Sequence, residues 1–127
     1  MRQTAFFALL LCLVIPGCAA AAAVGAGIVI SQDVLDNETF VAQLNEDVDV
    51  TWSTAKASLA KQSSAPIEMD DDLRVANGKV DNAEVIVNVE AFDLNRCRLS
   101  VSATKFGINN GEIAEMVFNR ILKRLQN

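Results

Sequence analysis

The chain has 127 residues, with 11 Lys and Arg against 16 Asp and Glu, three Cys, and no His or Tyr. This length allows one compact domain rather than two. The first 27 residues contain a single charged residue, Arg2, so residues 28–127 hold ten bases and sixteen acids and carry a net charge of −6. A body this acidic is unsuited to nucleic acid, and the absence of His removes His-based triads and His metal sites.

The N-terminal segment has the plan of a signal peptide. Arg2 supplies a positive charge, and residues 5–15 form an uncharged, mostly apolar run that is shorter than the ~20 residues of a bilayer span. The next residues, Ile15-Pro16-Gly17-Cys18, place a branched aliphatic at −3, a small residue at −1 and Cys at +1. This stretch resembles the bacterial lipobox, which implies cleavage between Gly17 and Cys18 and a diacylglycerol group on the Cys18 thiol. We therefore predict that residues 1–17 are a lipoprotein signal peptide.

An Ala/Gly-rich run follows Cys18, so residues 18–27 are predicted to be a lipidated Cys and its tether. Acyl chains such as palmitate contribute ~0.8 kcal/mol per buried CH₂, and two or three of them hold a protein on a membrane without help from the polypeptide. The residue after Cys18 is Ala19 rather than Asp, which in a double-membraned bacterium implies the outer membrane. We predict a lipid-anchored protein of the bacterial cell envelope that faces the periplasm.

Three other interpretations of the segment remain open, one of which is a buried helix of a cytosolic protein. The ordinary signal peptidase could cut at Ala19-Ala20-Ala21, which would release a soluble secreted or periplasmic protein. Alternatively, the uncharged stretch 5–30 could stay as an uncleaved transmembrane anchor, although Pro16-Gly17 lies in its middle.

Cysteine usage agrees with lipidation. Cys12 leaves with the signal peptide and Cys18 becomes a thioether, so Cys97 is the one remaining thiol and has no disulfide partner within the chain. Cys97 occupies an apolar position in an alternating stretch, and we predict that it lies in the core.

The first half of the domain predicts a short strand and a long helix. Residues 28–35 begin with β-branched side chains, which favour a strand. From Thr39 to about Gln62, the apolar residues Val41, Leu44, Val48, Trp52, Ala55 and Leu59 recur every three or four positions. This spacing predicts one helix over the whole stretch, with Trp52 in the core.

After Pro66 the apolar period changes to two. Residues 67–75, 83–91 and 97–104 predict strands, with a break at Asp70-Asp71-Asp72 and a hairpin turn at Asn77-Gly78. A capping pair, Asn109 and Glu112, predicts a last helix. Residues 28–127 are therefore predicted to form a single α+β domain with two layers, in which two helices cover one face of an antiparallel sheet of three or four strands, in the order (β)αβββα.

Several short motifs occur in a characteristic order along the chain: Gly17-Cys18-Ala19-Ala20, Val24-Gly25-Ala26-Gly27, the helix from Thr39, Asn77-Gly78-Lys79, Lys105-Phe106-Gly107 and Arg120-Ile121-Leu122-Lys123-Arg124-Leu125. In this order they resemble a family of small bacterial envelope lipoproteins classed as a domain of unknown function. The resemblance covers nearly the whole chain. It implies a location and a fold, but no catalytic residues.

The sequence predicts no catalytic, metal or cofactor site. Asp70-Asp71-Asp72 lacks the Gly and distal Glu of a calcium loop and is predicted to be a solvated break between strands. The uncovered face of the sheet is predicted to be solvated or to dock a partner through Glu84, Ile86, Asn88, Glu90, Arg98, Ser100, Ser102 and Thr104.

These patterns favour a non-enzymatic accessory or binding module for another envelope protein. The alternative is a cell-wall hydrolase that uses carboxylates alone, which needs two of them roughly 5–10 Å apart in one cleft.

Overall fold

A computed structural model describes residues 28–36 and 38–127 of the chain. The predicted signal peptide, the predicted cleavage and lipidation site at Gly17 and Cys18, and the predicted tether lie outside the described residues.

The described residues form one antiparallel sheet and two helices. The elements are β1 (Val29–Leu35), β2 (Thr39–Leu44), α1 (Val48–Gln62), β3 (Glu68–Asp70), β4 (Val75–Val80), β5 (Ala83–Asp93), β6 (Arg96–Lys105), β7 (Ile108–Asn109) and α2 (Gly111–Gln126). The strands lie in the order β1-β2-β6-β5-β4-β3, and β7 pairs with β6. The α+β class with two helices is confirmed. The predicted three or four strands and the order (β)αβββα are wrong, because the sheet has seven strands in the described part of the chain.

The largest error concerns residues 39–44, which form β2 rather than the start of the helix. Strand β2 lies between β1 and β6, and its inward residues Ala42 and Leu44 pair with Leu99 and Cys97. Helix α1 begins at Val48 because the Asp47 carboxylate accepts hydrogen bonds from the first free backbone N–H groups of the helix.

The predicted hairpin turn at Asn77-Gly78 is also wrong, since both residues lie inside β4. The chain instead turns at Asp81 and Asn82, which both adopt positive φ, as a two-residue hairpin connection requires. Gly78 is needed for another reason: a Cβ atom there would lie 3.0 Å from Cγ and Cδ1 of Leu59 in α1.

Both helices pack on the same face of the sheet and enclose a single core. Trp52 and Leu59 of α1 and Phe118 and Ile121 of α2 belong to one buried cluster with alternate residues of the central strands. The strand residues of this cluster include Val85, Val87 and Val89 of β5 and Cys97, Leu99 and Val101 of β6. The predicted burial of Trp52 and Cys97 is therefore confirmed.

Candidate functional site

The remaining face of the sheet points away from both helices, and we call it the open face. It carries the alternate residues of the strands that are not in the core: Gln43, Asn77, Glu84, Ile86, Asn88, Glu90, Arg98, Ser100, Ser102 and Thr104. The register aligns these side chains in rows, for example Glu90 beside Arg98 and Arg98 beside Gln43. All the residues predicted for the uncovered face lie here, and hydrogen-bonding groups predominate among them.

Arg98 lies near one end of the open face. Its Nη1 is 3.9 Å from Oε2 of Glu90, and its guanidinium carbon is 4.9 Å from the centre of the Phe92 ring. Its Nε is buried and has no hydrogen-bond partner in the described part of the chain. Arg98 is thus positioned by an ion pair and a cation–π contact, and the described residues leave its Nε donor without a partner.

A shallow cleft of about 230 Å³ lies beside Arg98, between β1 and the central strands. Its walls are formed by Ser31, Asp33, Leu35, Val41, Gln43, Glu90, Arg98 and Ser100. The cleft combines two hydroxyls, an amide, a guanidinium and two carboxylates, and it is smaller than the roughly 300–1,000 Å³ typical of small-molecule sites. This composition suits hydrogen bonding to a side chain or a short segment of a partner.

Two further polar groups on the open face lack partners. Oδ1 of Asn77 in β4 and Oδ1 of Asn88 in β5 are buried, and neither accepts a hydrogen bond from the residues that the structure describes. Buried polar atoms without a protein partner are uncommon, and water or a bound molecule usually satisfies them. Asn is also depleted in strands, which is the signal in the sequence that could have drawn attention to these two positions.

The cleft beside Arg98 contains two carboxylates, and their separation bears on the hydrolase hypothesis. Asp33 is on β1 and Glu90 is on β5, and β2 and β6 lie between them. Three strand spacings separate their backbones by about 14 Å. A catalytic pair lies roughly 5–10 Å apart, so these side chains would have to lean towards each other across two strands. The hydrolase hypothesis stays a prediction.

The acidic triplet is exposed, with Asp70 at the end of β3 and Asp71 and Asp72 in the turn before β4, but Asp71 has a structural contact. Oδ1 of Asp71 accepts hydrogen bonds from Nζ of Lys56 at 2.8 Å and from Nε1 of Trp52 at 2.9 Å. The bond from Lys56, followed by that from Trp52, lowers the pKa of the Asp71 carboxyl. Asp71 therefore fastens this turn to α1. Within residues 28–36 and 38–127, no group of three potential ligands is arranged to hold a metal ion.

Cys97 is a core residue and is poorly placed to act as a nucleophile. Its Sγ donates to Oγ1 of Thr51 at 3.2 Å, and both side chains are fully buried. Burial raises the pKa of the Cys97 thiol, which disfavours the reactive thiolate.

Comparison with known proteins adds no relative to this description. The chain matches no family model and no curated protein. The resemblance to the lipoprotein family rests on the motif order alone and stays a prediction.

Proposed function

We propose that this protein is a non-enzymatic lipoprotein of the bacterial envelope, anchored to the outer membrane through acylated Cys18. Its domain acts in the periplasm as an accessory or binding module for another envelope protein. The observation that carries this proposal is the sequence Ile15-Pro16-Gly17-Cys18, which follows a basic residue and an eleven-residue uncharged run.

The plan of the domain is compatible with such an anchor. Its first strand begins at Val29, eleven residues after Cys18, and the domain buries its own core under two helices. Among the described residues, neither helix is both long enough and apolar enough to cross a bilayer. The proposed acyl chains would therefore supply the membrane attachment, and the domain would supply the binding surface.

The open face supports the binding role. It offers rows of amide, hydroxyl and charged side chains, and three of its buried polar atoms lack a partner in the described residues. A partner that forms hydrogen bonds with the exposed side chains of these rows would gain affinity, since the sheet already positions them.

Metabolic labelling with radioactive palmitate in a double-membraned bacterium tests the anchor. We expect the full-length chain to incorporate label and Cys18→Ala to lose it. Cys12→Ala is the matched control, because Cys12 lies in the predicted signal peptide and its removal should leave labelling intact. Label that survives Cys18→Ala would refute the anchor.

Site-specific photo-crosslinking in intact cells tests the binding surface. A photoreactive residue at Ile86, on the open face, should capture a discrete envelope protein. The same residue at Ala60, exposed on α1, is the control and should not capture it. Capture of the same protein from both positions, or from neither, would argue against the open face as the docking surface.

A further inference from the structure

The chain enters the domain at one particular end of the sheet. Val29 pairs with Leu44, Leu44 with Cys97, and Cys97 with Ala91. This row crosses four strands and places the first described residues at the same end as the turn between β5 and β6. We call this the anchor end, because the segment that leads to Cys18 joins the domain here.

The turn between β5 and β6 projects beyond that row and has an apolar tip. Leu94, in the turn, is 87% exposed, and Phe92, near the end of β5, is 49% exposed. Behind the tip, Arg96 forms an ion pair with Asp93 at 2.7 Å, and Arg98 lies over the Phe92 ring. An apolar tip with an aromatic ring and guanidinium groups behind it matches the layering of a lipid–water interface, where apolar groups enter the acyl boundary and amphipathic groups stay among the headgroups.

Chain length limits which end of the domain can reach the membrane. Nine residues separate Cys18 from Ile28, and the ten Cα–Cα steps between the two residues reach at most about 35 Å. Strand β5 has 11 residues and is therefore about 37 Å long. An inverted domain, with the opposite end of the sheet on the bilayer, would need the tether at full extension, so the tether length favours the anchor end as the end that contacts the membrane.

The charge of the anchor end indicates the kind of lipid surface. Asp93 and Glu90 offset Arg96 and Arg98 there, and the segment between β2 and α1 adds the acidic pair Glu46-Asp47. The acidic residues named here outnumber the two Arg residues, so an anionic surface would repel this end of the domain. A zwitterionic phospholipid surface fits better.

We propose that the turn between β5 and β6 rests on the membrane that holds the acyl chains, with Leu94 and Phe92 inserted at a zwitterionic phospholipid interface. This inference rests on the proposed lipid anchor at Cys18. It adds a defined orientation: the anchor end faces the bilayer, and the opposite end points into the periplasm.

The opposite end provides a matched control. Phe106, in the turn between β6 and β7, is 88% exposed, and Ile108, the first residue of β7, is 73% exposed. This second tip is as apolar as the first one, but it lies at the other end of β6 from the turn that contains Leu94. Exposure alone would make both tips bind lipid, whereas the proposed orientation allows contact only at Leu94.

The test uses the full-length lipidated protein in vesicles of phosphatidylethanolamine and phosphatidylcholine, after mass spectrometry has verified acylation of Cys18. A fluorophore is attached to Leu94→Cys in one sample and to Phe106→Cys in another, and lipids brominated along the acyl chain serve as quenchers. We expect quenching of at least about twofold for the Leu94 probe and almost none for the Phe106 probe. Equal quenching at both positions, or stronger quenching at Phe106, would overturn the proposed orientation.

A second pair of variants removes the apolar tip itself. With the probe at Asn95→Cys, Leu94→Asp should lower lipid quenching, while Phe106→Asp should leave it unchanged. The Leu94 probe could instead be insensitive to brominated lipid and lose fluorescence by self-quenching as the protein density rises. That result would mean that the tip packs on a second copy of the protein, and it would also refute the inference. If mass spectrometry finds no acyl group on Cys18, the proposed lipid anchor is refuted, and this outcome is distinct from a refutation of the orientation.

Discussion

The two faces of the sheet are made from alternating residues of the same strands, yet they differ in almost every physical property. On β5 and β6, the residues facing the helices include Val87 and Leu99, which are fully buried, while their neighbours Asn88 and Arg98 face the other way. Burial of the covered face stabilises the folded state because it removes apolar area from water. The open face contributes much less to folding, and its side chains are therefore free to be selected for recognition.

The largest expected difference between the faces comes from truncating one residue on each. Leu99→Ala should lower the free energy of unfolding by about 2–5 kcal/mol, because it leaves a cavity at a fully buried site. Ile86→Ala removes the same number of carbon atoms from the open face and should cost about 1 kcal/mol or less. Urea denaturation measures both. Equal losses would mean that the open face is covered in solution.

Adding one carbon atom under α1 tests how closely the helix approaches the covered face. Gly78→Ala should destabilise the domain by about 1–3 kcal/mol, because the new Cβ would lie 3.0 Å from the Leu59 side chain. The control, Lys79→Ala, changes an exposed side chain on the same strand and should leave stability nearly unchanged. A neutral or stabilising Gly78→Ala would show that α1 lies farther from β4.

A smaller effect is expected where the β3–β4 turn meets α1. Asp71→Ala removes the acceptor of Nε1 of Trp52 and should destabilise the domain and shift the emission of Trp52, the single Trp of the chain. Asp72→Ala, in the same exposed turn, is the control and should do neither.

The pH dependence of the Asp71 contact has a defined sign. Because the folded pKa of Asp71 is lowered, its stabilising effect is present above the ordinary carboxyl pKa and is lost as pH falls below about 4. The difference between the parent protein and Asp71→Ala should shrink in that range. A difference that is constant from neutral to acid pH would contradict the ion pair with Lys56.

The smallest effect is expected from the buried thiol. Because burial raises the folded pKa of Cys97, the folded state is favoured below the unfolded thiol pKa and loses this advantage as pH rises above about 9. The stability difference between the parent protein and Cys97→Ala should therefore decrease from pH 8 to pH 10 in urea denaturation. Parallel pH profiles would show that the Cys97 thiolate is as well solvated in the folded state as in the unfolded state.

The central strands and the last helix are predictable from the sequence because local pattern and tertiary role agree there. In β5 and β6, every second residue is apolar over most of the strand. The existence of α2 is also predictable, but the predicted cap Asn109 is wrong, because Asn109 lies in β7 and the N-cap is Asn110. The sequence of β2 favours a helix because Val41 and Leu44 continue the three- and four-residue apolar spacing of α1. The pairing of β2 with β6 depends on residues more than fifty positions away, which no local pattern contains.

The open face is predictable for the same reason as the strands, because the alternation of apolar and polar residues along each strand indicates which side chains share that face. The cleft beside Arg98, and the lack of a partner for its Nε among the described residues, were not predictable, because both depend on the register of β1, β2, β6 and β5 in the sheet. Asn77-Gly78 shows a related limit. The same dipeptide fits a tight turn or a strand under a close helix, and only the packing of Leu59 distinguishes the two.

The most direct test of the proposed function is the mass of the mature N-terminus, measured on full-length protein extracted from the membranes of a double-membraned bacterium. A chain that begins at Cys18 and carries a thioether-linked diacylglyceryl group is the predicted product. A chain that begins with a free amine in the run Ala19-Ala20-Ala21, or one that retains residues 1–17 with a free thiol at Cys18, would contradict the account.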